Sequence, residues 1–124
     1  MVTTLRSGPG GIEHEFWRHR IKERCEARGY TVTQEYALGE GKRVDLHATR
    51  KNRRLFIEIE TGKSDVQGNI QKCAGNNATL IMFFTSKQAM MNATTILTAF
   101  PDVVAVCPDT LNELHDILNA TNSR

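Results

Sequence analysis

A chain of 124 residues, 40% hydrophobic and 24% charged, can bury a real core and fits one domain, not a disordered or fibrous chain. No apolar run approaches the roughly 20 residues of a membrane span, and the start lacks the hydrophobic stretch of a secretory signal, so a cytoplasmic protein with no membrane partner is expected. A net charge of +2 does not by itself name nucleic acid as the partner. Cys25, Cys73 and Cys107 are odd in number and widely spaced, which argues against a disulfide framework or a cysteine zinc site and leaves core thiols.

Met1 to Gly11 is rich in Gly, Pro, Ser and Thr and reads as a flexible leader, or as the cut end of a longer protein. The pattern then predicts a helix from about Ile12 to Arg28, with Ile12, Phe16, Trp17, Ile21 and Cys25 as its apolar stripe and Gly29 as its C-cap. Glu13 and Glu15 stand in the first turn, where the helix dipole favours acids. A strand over Thr31 to Tyr36 and a glycine-marked turn, Leu38 to Lys42, lead into Arg43–Ser64, the stretch on which the functional reading turns.

That stretch, RVDLHATRKNRRLFIEIETGKS, reads as a β-hairpin. Val44, Leu46 and Ala48 alternate with Asp45, His47 and Thr49; Leu55, Ile57 and Ile59 alternate with Phe56, Glu58 and Glu60, so each arm has one apolar face. With the turn centred on Lys51-Asn52, residues whose numbers sum to 103 lie opposite each other, which pairs Asp45 with Glu58. Like charges directly opposite, with Cβ atoms about 5 Å apart, destabilise a sheet unless something neutralises them. A divalent cation would do so, and hard cations use one or two carboxylates together with water and phosphate oxygens.

After the hairpin, Ser64 with Gln67 predicts a capped helix to about Ala74, bearing Val66, Ile70 and Cys73 on one face and Asp65, Asn69 and Lys72 on a polar stripe able to turn back over the carboxylates. Thr79–Phe84 reads as a buried, parallel strand. A helix over Ser86–Phe100, a strand over Val103–Cys107 and a last helix capped by Thr110 and Glu113 complete the order α-β-β-β-α-β-α-β-α, a mixed sheet flanked by helices in an α/β or α+β fold.

Other signals fall away. Thr61-Gly62-Lys63-Ser64 imitates the end of a phosphate-binding loop, but the motif requires glycine where Ile57 stands. His14, His19, His47 and His115 have no zinc-ligand spacing; His14 and His19 point to different helix faces, and His47, although on the face of Asp45, reads most simply as a surface histidine.

A helical glutamate, a strand Asp, an E-x-K-type pair on the next strand, then a helix and a strand, resemble the PD-(D/E)XK nuclease superfamily, in particular its restriction-endonuclease-like and Holliday-junction-resolvase-like branches. The matching residues are Glu15, Asp45 in RVDL, and Glu58-Ile59-Glu60, and the resemblance covers about Gly11 to Phe84. It implies a restriction-endonuclease-like core and Mg²⁺- or Mn²⁺-dependent hydrolysis of double-stranded or branched DNA, with the metal on Asp45, Glu58 and the Ile59 carbonyl. Arg18 on the first helix, Lys63, and Arg53 and Arg54 at the hairpin tip are the expected DNA contacts. The usual lysine is Glu60 here, a departure with three readings: Glu60 acts as base or second-metal ligand; the lysine has moved to Lys72, or less well to Lys63; or activity is lost. Cutting two strands would favour a homodimer. The rival to an enzyme is a non-catalytic DNA-binding or assembly module, attached to a larger ATPase; a small-molecule-binding domain would instead require an apolar pocket.

Overall fold

Helix α1 spans Gly11–Ala27, and the computed structural model describes residues 11–120. The expected leader therefore lies outside the described residues, except for Gly11, which already belongs to α1. Gly29, at φ +87°, ends the helix in the left-handed region, where its amide and that of Tyr30 turn back to the carbonyls of Glu26 and Cys25. The chain then forms β1 (Thr31–Gly39), β2 (Lys42–Arg50) and β3 (Arg53–Glu60), then α2 (Val66–Lys72) and β4 (Thr79–Phe84). Helices α3 (Lys87–Asn92) and α4 (Thr94–Thr98), β5 (Val104–Val106), a 3-10 turn (Pro108–Thr110) and α5 (Leu111–Asn119) follow. Among the described residues no helix is long and apolar enough to cross a membrane.

The five strands form one mixed sheet in the order β1-β2-β3-β4-β5, antiparallel through β3 and parallel from β3 to β5. The hairpin register is the one the turn residues dictate: Leu46 faces Ile57, and Arg50 faces Arg53. On one sheet face α1 and α5 bury Ile21, Cys25, Leu114 and Leu118 against Leu46, Leu55, Ile57, Ile81 and Phe83. On the other, α2, α3 and α4 pack Ile70, Ala89, Met90, Ile96 and Leu97 against Phe56, Leu80, Met82 and Phe84.

The alternation along β3 predicts one apolar face and one more polar face. Both are buried, because helices cover the two sides of this central strand; Phe56 and Glu60 are fully buried and Glu58 is 3% exposed. Other expectations also change. In α1 only Ile21 and Cys25 of the expected stripe are buried; Trp17 packs on Phe83, while Ile12 and Phe16 face outward at 66% and 51% exposure. Asp65, not Ser64, caps α2: its carboxylate accepts the Gly68 amide at 3.0 Å, and a Cβ on residue 68 would collide with that carboxylate, so glycine lets the cap close. The helix expected over Ser86–Phe100 breaks at Ala93, which closes α3 with its amide turned to the Met90 and Met91 carbonyls; next to it the Thr94 hydroxyl donates to the Met91 carbonyl. Thr110 does not cap α5 with its side chain; its hydroxyl accepts the Cys107 amide and holds the 3-10 turn.

Arg50 ties the C-terminal helix to the hairpin. It donates to the carbonyls of Arg28 and Ala120, each at 2.8 Å, and stacks over Tyr30, whose hydroxyl donates to the Leu118 carbonyl. Phe83 lies at the centre of the α1-side core, 4.9 Å from the Trp17 ring. Phe83→Ala should cost about 3–5 kcal/mol in urea unfolding, with little change in the m-value.

Candidate active site at the carboxyl end of the sheet

The ladder between β2 and β3 stops at Leu46 and Ile57, and the two acids continue it with their side chains. Asp45 Oδ2 accepts the Ile59 amide at 2.8 Å, and Glu58 Oε1 accepts the Asp45 amide at 3.2 Å. Each carboxylate thus occupies a place a ladder carbonyl would hold, and the two lie together where β3 and β4 end, the usual position for ligand chemistry in parallel sheets. Just opposite, Glu35 of β1 has φ 51°, a strained conformation for a side chain other than glycine, and its carboxylate pairs with Arg18 of α1.

Helix α1 reaches the pair through His14, not Glu15. His14 Nε2 lies 3.1 Å from Asp45 Oδ2, whereas Glu15 is engaged by Arg18 at 2.5 Å and its nearer approach to His14 is 3.9 Å. The signal is in the spacing: His14 stands seven and eleven residues before Ile21 and Cys25, on the buried stripe, while Ile12 and Phe16 stand on the opposite face.

Helix α2 supplies the cation. Lys72 Nζ is 2.5 Å from Glu58 Oε2 and 3.1 Å from Asn69 Oδ1, and Asn69 Nδ2 donates to Glu60 Oε2 at 3.0 Å. Two acids spaced by two on β3 therefore meet two polar residues spaced by three on α2. The N-cap at Asp65 starts the helix so that this stripe faces the strand. The polar stripe expected from the sequence is present, with Asp65 used as the cap.

Electrostatics separate the two acids. Burial pushes Asp45 up, but hydrogen bonds with His14 and Glu58, the His14 charge and the Ile59 amide outweigh it and leave its pKa below the usual carboxylate value. Glu58 is pushed up to about 8 by burial, then by the Asp45 charge and the hydrogen bond between them, with partial relief from Lys72. The bond to Asp45 raises His14 despite burial, and burial raises Glu60 against hydrogen bonds from Asn69 and Ser64. Two carboxyls close enough to share a proton, with a backbone carbonyl next to one of them in sequence, are a donor set that suits a hard divalent cation. Among the described residues no group of three His, Cys, Asp or Glu side chains surrounds one point, so such an ion would take its remaining ligands from water and substrate.

The remaining candidates separate. Lys63, one of the contacts expected from the sequence, is exposed in the loop after β3; Lys42, Arg43 and Lys87 are exposed around the same end of the sheet, and sequence reasoning misses these three because only the fold brings the starts of β2 and α3 to the end of β3. Arg18 is held between Glu15 and Glu35. Arg53 and Arg54 stand at the other end of β3, with Arg54 four residues, or about 13 Å, from Glu58, and the structure does not bring them to the acids. Arg54 donates to His47, which stacks on Tyr36 and takes no part in the cleft.

With its pKa raised to about 8, Glu58 binds more protons in the folded than in the unfolded chain between about pH 4.5 and 8, so stability falls as pH rises through that window. His14, raised in the fold, acts in the same direction: its contribution is complete below its ordinary value of 6.5 and is lost as pH rises above it. With a chelator present, the stability difference between Glu58→Gln and wild type should move in favour of the variant by about 2 kcal/mol between pH 5 and 8, read by urea unfolding.

Comparison with known proteins adds no relative to this picture: no family model, no curated protein and no solved structure matches the chain.

Proposed function

We propose that the chain is a metal-dependent endonuclease that hydrolyses DNA phosphodiester bonds, acting on double-stranded or branched substrates. The observation that carries this reading is the meeting of Asp45, Glu58 and the Lys72 ammonium at one end of the sheet, with Lys72 delivered by the helix that follows the E-x-E strand. The element order α-β-β-β-α-β and the mixed sheet are those that the PD-(D/E)XK resemblance implies. Exposed Lys42, Arg43, Lys63 and Lys87 around the acids offer phosphate contacts independent of base sequence.

In this reading Asp45, Glu58 and the Ile59 carbonyl hold Mg²⁺ or Mn²⁺. That ion, when bound, polarises the scissile phosphate and lowers the pKa of attacking water. His14 and the Ile59 amide both engage Asp45 Oδ2 and hold the carboxylate in one orientation, leaving Oδ1 for a ligand. Lys72, drawn into the site by Glu58 and Asn69, donates to the phosphate oxygens as negative charge develops on them. Water adds to phosphorus and gives up one proton to solvent, the bond to one sugar oxygen breaks, and that oxygen leaves with a proton taken from solvent.

One observation favours the rival reading, a nuclease fold kept as a non-catalytic DNA-binding or assembly module: Lys72 is closed onto Glu58, the pairing that a purely structural ion pair would also adopt. The two readings part in one assay. Supercoiled plasmid and branched DNA should be cut with Mg²⁺ or Mn²⁺ and left intact with EDTA, with Asp45→Asn removing activity and Lys72→Ala lowering kcat by about 10²–10³-fold. DNA binding that is equal in wild type and Asp45→Asn, with no cutting under any metal, would replace the enzyme with the module. Lys42→Glu combined with Arg43→Glu should weaken DNA binding and flatten its salt dependence, measured by fluorescence anisotropy from about 50 to 200 mM salt.

A further inference from the structure

Glu60 stands where the resemblance expects a lysine, yet it neither faces solvent nor lies open to substrate. It is fully buried, its Oε2 takes the Asn69 amide at 3.0 Å, and Ser64 in the loop after β3 also donates to the carboxylate. Asn69 in turn presents Oδ1 to Lys72 at 3.1 Å. A side-chain amide has a donor end and an acceptor end, and whatever fixes one end fixes the other. A carboxylate can only accept, so Glu60 turns Nδ2 of Asn69 inward and Oδ1 outward, towards the ammonium.

We infer that Glu60 is a positioning residue: through Asn69 it aims the Lys72 ammonium at the acid pair, and the E-x-E departure and the lysine on α2 are two parts of one arrangement. This rests on the nuclease reading of the same site. Glu60 is then neither a base nor a metal ligand. The loss of lysine from β3 is matched by a buried acceptor that holds its replacement on the neighbouring helix. A lysine at position 60 would meet the donor end of Asn69, or turn that amide round and present its donor end to Lys72.

The test is a polarity swap. Glu60→Leu and Asn69→Leu should each lower kcat at least about 10-fold at saturating Mg²⁺, with KM for DNA changed less than about threefold. Neither should lower it further in a Lys72→Ala background. The double variant Glu60→Gln, Asn69→Asp reverses the hydrogen bond, with Gln donating and Asp accepting, and still offers an acceptor to Lys72; it should recover activity to within about threefold of wild type. A merely structural link between β3 and α2 would change thermal stability in step with kcat and would not need Lys72 for its effect. Three results overturn the inference: losses that multiply with Lys72→Ala, no loss in Glu60→Leu, or no recovery in the swapped pair although it melts like wild type. Failure of wild-type protein to cut DNA with any metal, while the Asn69 side-chain amide is protected from exchange in wild type and exposed in Glu60→Leu, would retire the nuclease reading itself and leave the hydrogen-bond link standing.

Discussion

The structure depends on a conflict at one place: three carboxylates sit on or beside a central strand whose two faces are both covered. Burying an acid is costly unless hydrogen bonds or opposite charge offset the loss of water. Each of the three is handled differently. Asp45 is held by His14 and the Ile59 amide, which keep its pKa low, Glu58 sits between Asp45 and Lys72, and Glu60 takes hydrogen bonds from Asn69 and Ser64. Much of the surrounding architecture follows from these requirements. Helix α1 has to carry a histidine on its buried stripe, α2 has to start at Asp65, and the strands have to part where the acids begin.

The same arrangement separates two kinds of positive charge. Arg18, Arg50 and Arg54 are committed inside the molecule, to Glu15 and Glu35, to the carbonyls of Arg28 and Ala120, and to His47. Lys42, Arg43, Lys63 and Lys87 are exposed near the acids. A count of basic residues along the chain cannot distinguish these groups, since an arginine that braces a helix end and a lysine that stands free in solvent contribute the same charge to the sequence.

Local patterning makes much of the fold legible. The hairpin register follows from a four-residue polar turn between alternating arms, and β4 is readable at its observed limits because a continuous apolar run marks a strand buried on both faces. The polar stripe of α2 over the acids is visible from helical spacing alone. What stays hidden is set by contacts between distant segments. Which face of α1 meets the sheet decides between His14 and Glu15, and the apolar pair Ile12 and Phe16 draws the expected stripe to the wrong side. The break at Ala93 leaves the apolar spacing of Ala89, Ala93, Ile96 and Leu97 unbroken, so periodicity reads one helix across it. Burial of Glu58 and Glu60 requires knowing that helices cover both faces of β3.

Strand β1 forms one edge of the sheet over nine residues, and most of its length is open to solvent. An open edge is a template on which another strand can grow, within a pair of molecules or in an aggregate. The left-handed turn at Glu35 falls midway along that edge and takes the local backbone out of the extended form that a new ladder would need. The strain beside Asp45 therefore also acts as a stop on lateral growth. A second copy of this chain that paired along β1 would meet a ladder interrupted at its middle, so the edge offers two short segments instead of one long template.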